Sequence, residues 1–223
     1  MIGNMETVFN LRLIVNNNWA TILLLISFIL IVTVKTLYSQ RFFIFLDLFY
    51  SNKYFKLYNK SEYISSIFNI LLYIKQLIVL SFFIILILDQ YNICSKNNGI
   101  VYLQIITSLF VISMAKYFIE KIIAIIFEID KIADIFNHYK MSYRSFFTLF
   151  LFPITTVLFY NNTNKIVLIT MVGVLIIYNT ITYINILKFF KSNLFSNLFY
   201  FILYLCTLEI APYYFIYYWI KNN

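Results

Sequence analysis

The chain has 223 residues, of which 62% are hydrophobic and only 12% charged. About a quarter of the residues of a soluble domain are charged, so that class is excluded. The net charge of +8 fits basic loops facing anionic lipid heads better than it fits nucleic acid.

The apolar residues gather in runs of about 20, the length that crosses a bilayer. The expected fold is all-α: a polytopic transmembrane helix bundle with about six spans and interfacial amphipathic helices, as a single integral membrane domain over residues 1–223. Phe, Tyr, Ile, Asn and Lys all have AT-rich codons, so the 21% aromatic content is not read as an aromatic binding box. Cys94 and Cys206 are the only cysteines and His138 is the only histidine. No disulfide framework, metal spacing or histidine triad can be built from them. No catalytic residue, metal site or cofactor is expected.

In chain order, Trp19 to Tyr38 is the first expected span (19–38). It lacks the short core and small-x-small site of a cleaved signal, so it is expected to stay attached. Residues 40–63 mix Arg41, Lys53, Lys56 and Lys60 with Phe and Tyr. They are too polar to span and suit an interfacial anchor, rings at the acyl boundary and cations at the headgroups, with partner docking as the alternative. The second span is 67–88 and contains Lys75 and Gln76. Lys75 either snorkels to the near headgroups or is the counter-ion of an internal acid.

The third span is 100–121, where Lys116 and Glu120, four apart, can pair on one face. Residues 122–140 continue as an amphipathic segment, with Ile122, Ile125, Ile126, Ile129, Ile132 and Phe136 on one side. That segment either prolongs the third helix or lies on the membrane surface. The fourth span, 145–160, is short and contains Pro153, which is expected to kink it. The fifth, 166–187, has a polar second half in which Asn179 and Tyr183 either bond to neighbouring helices or line a cavity. The sixth is 198–219.

Loops one–two, three–four and five–six carry nine Lys and Arg against four for the other set, which places the first set in the cytoplasm. Both termini then face outward. Trp19 and Trp219 fall at that same outer interface, where tryptophan is enriched.

The last run holds an acid, Glu209, near its middle, three residues before Pro212. A charge at the centre of a membrane helix costs at least ~2.5 kcal/mol, so Glu209 needs a basic partner, a water path or a proton. Pro212 frees the Leu208 carbonyl beside it. Glu209, Pro212, Lys75, Lys116, Asn179 and Tyr183 form the candidate polar centre.

The nine residues Tyr204 to Pro212 resemble the C-terminal signature of an uncharacterised family of bacterial integral membrane proteins, a domain of unknown function. The basic-aromatic segment after helix one and the Phe152-Pro153 step match it too. The resemblance implies a multi-pass protein of the bacterial inner membrane and supplies no activity, substrate or site residue. The expected function is a non-enzymatic component or assembly factor of a cell-envelope complex. The alternatives are a small proton-coupled transporter using Glu209 and a membrane-embedded lipid-modifying enzyme. The expected partners are the lipid bilayer and other membrane proteins, with no nucleic acid. A small-molecule substrate cannot be read.

Overall fold

A computed structural model describes residues 18–49, 53–58, 66–126, 130–161 and 165–191. In chain order the helices are α1 (Asn18–Leu37), α2 (Ser39–Leu46), a 3-10 turn (Asp47–Phe49), α3 (Lys53–Tyr58), α4 (Ile67–Gln90), α5 (Gly99–Ile126), α6 (Asp130–Tyr160) and α7 (Lys165–Lys191). There is no strand among the described residues. Four helical stretches are long and apolar enough to cross a membrane: Asn18–Leu37, Ile67–Gln90, Ala133–Tyr160 and Lys165–Ile186. The expected sixth span, 198–219, lies outside the described residues, and so do Cys206 and Trp219.

The long helices run up and down between two levels. At one end Trp19 of α1 meets Phe82 of α4, Tyr102 of α5 and Phe159 of α6, with ring centroids 5.2–6.1 Å away. The turns after α4 and α6 meet there as well: Lys96 Nζ donates to the Asn161 carbonyl at 3.2 Å. At the other end Tyr38, just after α1, packs edge-on against Phe68 of α4, and Phe45 of α2 reaches Phe146 of α6. The hydrophobic core divides accordingly into two clusters, one at each end.

α4 is the central helix. Of its most apolar stretch 61% is buried, against 11% for α7. Phe68, Leu72, Lys75, Val79, Phe82 and Leu86 are all buried. Their alternating steps of four and three put them on one seam, and α4 packs most extensively on α6.

The structure changes several boundaries. Residues 122–140 are neither a simple extension of the third helix nor a separate surface helix. Residues 122–126 finish α5, and Asp130 begins a 31-residue helix that runs through to Tyr160. The fourth helix is therefore long, and Pro153 lies inside it on the exposed side. The apolar side read along 122–140 is divided between two helices: Ile122, Ile125 and Ile126 are exposed on α5, and Phe136 is buried on α6. The buried stripe is carried by Ala133, Phe136, Tyr139, Tyr143 and Phe146. Asp130 in the first turn suits the positive end of the helix dipole.

Residues 40–63 also depart from a plain interfacial anchor. Phe42, Phe45, Leu48, Tyr54 and Phe55 are buried in the core cluster at this end. Aromatic area this large is withdrawn from water most completely against other rings. The segment caps the bundle, leaving Phe43 and Leu57 exposed. Trp19 packs against the rings of Phe82, Tyr102 and Phe159.

Candidate functional site

Lys75 is wholly buried in the middle of the α4 seam, about 12 Å along the helix from Ile67. It does not snorkel. Its Nζ donates to the Ser145 carbonyl at 3.0 Å and to Thr148 Oγ1 at 2.9 Å, both on α6. Beside it Ser145 Oγ donates to Gln76 Oε1 at 2.9 Å. A buried ammonium needs acceptors or a counter-charge. Two neutral acceptors meet Lys75, and no carboxylate does among the described residues.

The hydroxyls here are already committed. Thr148 Oγ1 donates onward to the Ser145 carbonyl at 2.9 Å, and Ser145 faces an amide, not a base. A nucleophile needs its proton directed at a base. This arrangement instead fixes the register of α4 on α6.

The polar stripe of α6 continues toward the capped end. His138, Ser142, Ser145 and Thr148 are all buried and share one face. His138 Nδ1 lies 3.4 Å from Asn69 Nδ2. Asn69 Oδ1 in turn accepts from Arg41 of α2 at 3.4 Å. Arg41 also donates to Ser66 Oγ at 2.7 Å and to Tyr54 Oη at 3.2 Å. Its guanidinium lies 4.4 Å from the Phe68 ring and 4.9 Å from that of Tyr58. Burial pushes the Tyr54 phenol above its ordinary range, against the opposing charge and hydrogen bond of Arg41, so it stays a neutral acceptor.

Lys116 is placed elsewhere, on α5, 3.8 Å from Glu120, as its spacing predicts. Glu120 is itself buried and also pairs with Lys140 of α6 at 3.2 Å. The next residue of α5, Lys121, holds Asp134 of α6 at 3.1 Å. These pairs tie α5 to α6 at the capped end. Asn179 and Tyr183 sit half-buried on α7, and neither bonds to Lys75. Of the α7 hydroxyls, Tyr178 bridges to the Tyr143 carbonyl at 2.9 Å. Thr180 and Thr182 bond back to their own helix. Glu209 and Pro212 lie outside the described residues.

The structure thus sets Lys75 beside Gln76, Ser145 and Thr148, apart from Lys116, Asn179 and Tyr183. A signal for Ser145 and Thr148 was present: they continue the three- and four-residue spacing of His138 and Ser142.

The model of a family described as a domain of unknown function, DUF4271, matches residues 20–220. The chain belongs to that family. The match runs from the first turn of α1 to beyond α7, so the seam, the cap and Glu209 with Pro212 all lie within the DUF4271 domain. No curated protein and no solved structure matches the chain.

Proposed function

We propose that this DUF4271 protein is a non-catalytic, multi-pass component of a cell-envelope membrane complex in the bacterial inner membrane. The observation that carries the reading is the state of its buried polar groups. Lys75, Arg41 and Glu120 are each held between helices by fixed contacts, as parts of a rigid scaffold are. The same contacts support α5 as a further crossing. Its start lies beside Trp19 and its end beside Lys140, the two levels joined by α4 and α6. With 198–219 the count returns to six, and the basic loops face the cytoplasm.

The test is purification of the tagged protein from its own membranes in mild detergent, followed by the mass of the intact complex. A stoichiometric assembly with other membrane proteins is expected. A lone monomer or homodimer that carries protons in vesicles would overturn the reading.

One observation favours a second reading, a proton-coupled transporter. Lys75 is a buried ionisable group in a candidate span with only neutral acceptors, and such groups in transporters bind protons or substrates. Lys75→Met then abolishes flux, whereas a scaffold keeps its assembly.

A further inference from the structure

We infer that the outward face of α7 is the docking surface for the last hydrophobic run of this same chain, 198–219, which folds back on it as an antiparallel hairpin and brings Glu209 level with Thr180. The run lies outside the described residues, whereas the face that receives it does not.

The two sides of α7 are unlike. Leu168, Thr182 and Ile186 are buried, on the side where Tyr178 meets Tyr143 and Phe147 of α6. On the opposite side stand Ile166, Thr170, Gly173, Ile177, Thr180 and Ile184, in steps of four and three. Such spacing makes a seam along which a second helix can lie. Its five side chains are exposed, and a Cβ built on Gly173 would meet nothing within 4 Å. Glycine inside a helix costs about 0.5–1 kcal/mol relative to alanine. In membrane helices small residues gather where another backbone comes close. Acyl chains need no such gap.

The face is also too polar in its second half to suit lipid alone. Asn185 is exposed within the candidate span and has no hydrogen bond to another described residue. An amide in that position marks a polar neighbour. Thr180 turns its own proton back to the carbonyls of its helix, so its oxygen is left to accept.

Connectivity selects the occupant. α7 ends at Lys191 and the run begins at Leu198, so six residues, 192–197, join them. Connections of that length link antiparallel neighbours in helix bundles. Glu209 lies eleven residues into the run, and Thr180 eleven residues before the end of α7. Both therefore stand ~17 Å from the turn. Ile216 and Gly173 are likewise each eighteen residues from it. The one acid of the run thus reaches a hydroxyl of the open face, and a branched side chain reaches its glycine. A carboxylic acid that keeps its proton can donate to Thr180 Oγ1, which offsets the cost of an acid within a span. The hairpin uses the sixth crossing of the proposal above but neither of its functional roles. It is read within one chain, whereas the complex is read by its mass.

The test is disulfide crosslinking of the full chain in its own membranes, in a Cys94→Ser, Cys206→Ser background. Gly173→Cys is combined in turn with Phe215→Cys, Ile216→Cys, Tyr217→Cys and Tyr218→Cys, which sample one full turn of the run. Thr170→Cys, at an exposed position of the same seam, gives a second series with Tyr217→Cys, Tyr218→Cys, Trp219→Cys and Ile220→Cys. That series decides if Gly173→Cys chains do not accumulate. Thr107→Cys is the control. It is exposed on α5, eight residues from the start of its helix, as Gly173 is on α7. Oxidation is expected to give a reducible, faster-migrating monomer at one or two positions of each turn, and none with Thr107→Cys. No such band at any position of an accumulating series would overturn the inference. So would a band with Thr107→Cys in place of the α7 positions, which would assign the run to α5. A crosslinked dimer from Gly173→Cys or Thr170→Cys alone would assign the face to a second copy and overturn it as well.

Discussion

Lys75 Nζ donates to Thr148 Oγ1 at 2.9 Å, from a seam of α4 whose other buried members include Phe68, Leu72, Val79, Phe82 and Leu86. Thr148 keeps its own proton on the Ser145 carbonyl. Removing the ammonium therefore leaves no buried donor orphaned, and that decides what substitution does.

Lys75→Met keeps the volume and removes the charge. Its unfolding free energy in detergent is expected to stay within about 1.5 kcal/mol of the parent, or to rise. Lys75→Ala leaves a cavity in the seam and is expected to cost about 2–5 kcal/mol. Thermal or denaturant unfolding of the two variants checks the contrast. A large loss on Lys75→Met that Glu209→Gln restores would instead identify an ion pair between these two residues.

Glu120 receives two cations from different helices, Lys140 at 3.2 Å and Lys116 at 3.8 Å. The carboxylate is buried, but the Lys116 side chain is 28% exposed and the Lys140 side chain 12%. Lys140 is the better shielded and the closer, so its coupling to Glu120 should dominate. A double-mutant cycle of Glu120→Gln with Lys140→Met is expected to give about 1–3 kcal/mol, and the cycle with Lys116→Met under about 1 kcal/mol. Equal couplings would show that the α5–α6 tie is not specific to Lys140.

The spans were legible because about 20 apolar residues between polar turns admit few other folds. The four described candidate spans overlap the expected first, second, fourth and fifth, though the fourth begins well before residue 145, and the expected third, 100–121, lies in a helix that is not among them. That start was hidden because its buried stripe is built from Tyr139 and Tyr143, whose hydroxyls and charged neighbours read as a solvated face. The burial of Lys75 was hidden for a different reason. α4 is apolar all round, so composition marks no inward face, and only the spacing Phe68, Leu72, Lys75, Val79 places the lysine in the seam. Arg41 was read as a headgroup cation because sequence does not show that Phe68 and Tyr58 wall it in. Glu209 and Pro212 were the sequence's first choice for a polar centre and fall outside the described residues.

Trp19 supplies a test of the uncapped end. Its ring stacks on Phe82 and meets Tyr102 and Phe159, while its Nε1 is buried with no hydrogen-bond partner among the described residues. The ring area matters here and the N–H does not. Trp19→Phe is expected to cost under about 1.5 kcal/mol, and Trp19→Ala about 3–5 kcal/mol. If Phe proves as costly as Ala, the indole has a polar role that the packing does not account for.

Orientation can be decided with the cysteines already present. Cys94 is half-buried in the turn between α4 and α5, at the Trp19 end. On the positive-inside rule, the excess of Lys and Arg in the loops of the opposite end predicts that end to be cytoplasmic. In a Cys206→Ser background, a membrane-impermeant maleimide applied to spheroplasts should label Cys94 without lysis. A cysteine introduced at Gln40, exposed at the capped end, should label only after lysis. The reverse pattern would invert the topology. Labelling at both sites before lysis would mean that the described helices do not separate two compartments. The four apolar helices would then be covered by protein, not by lipid.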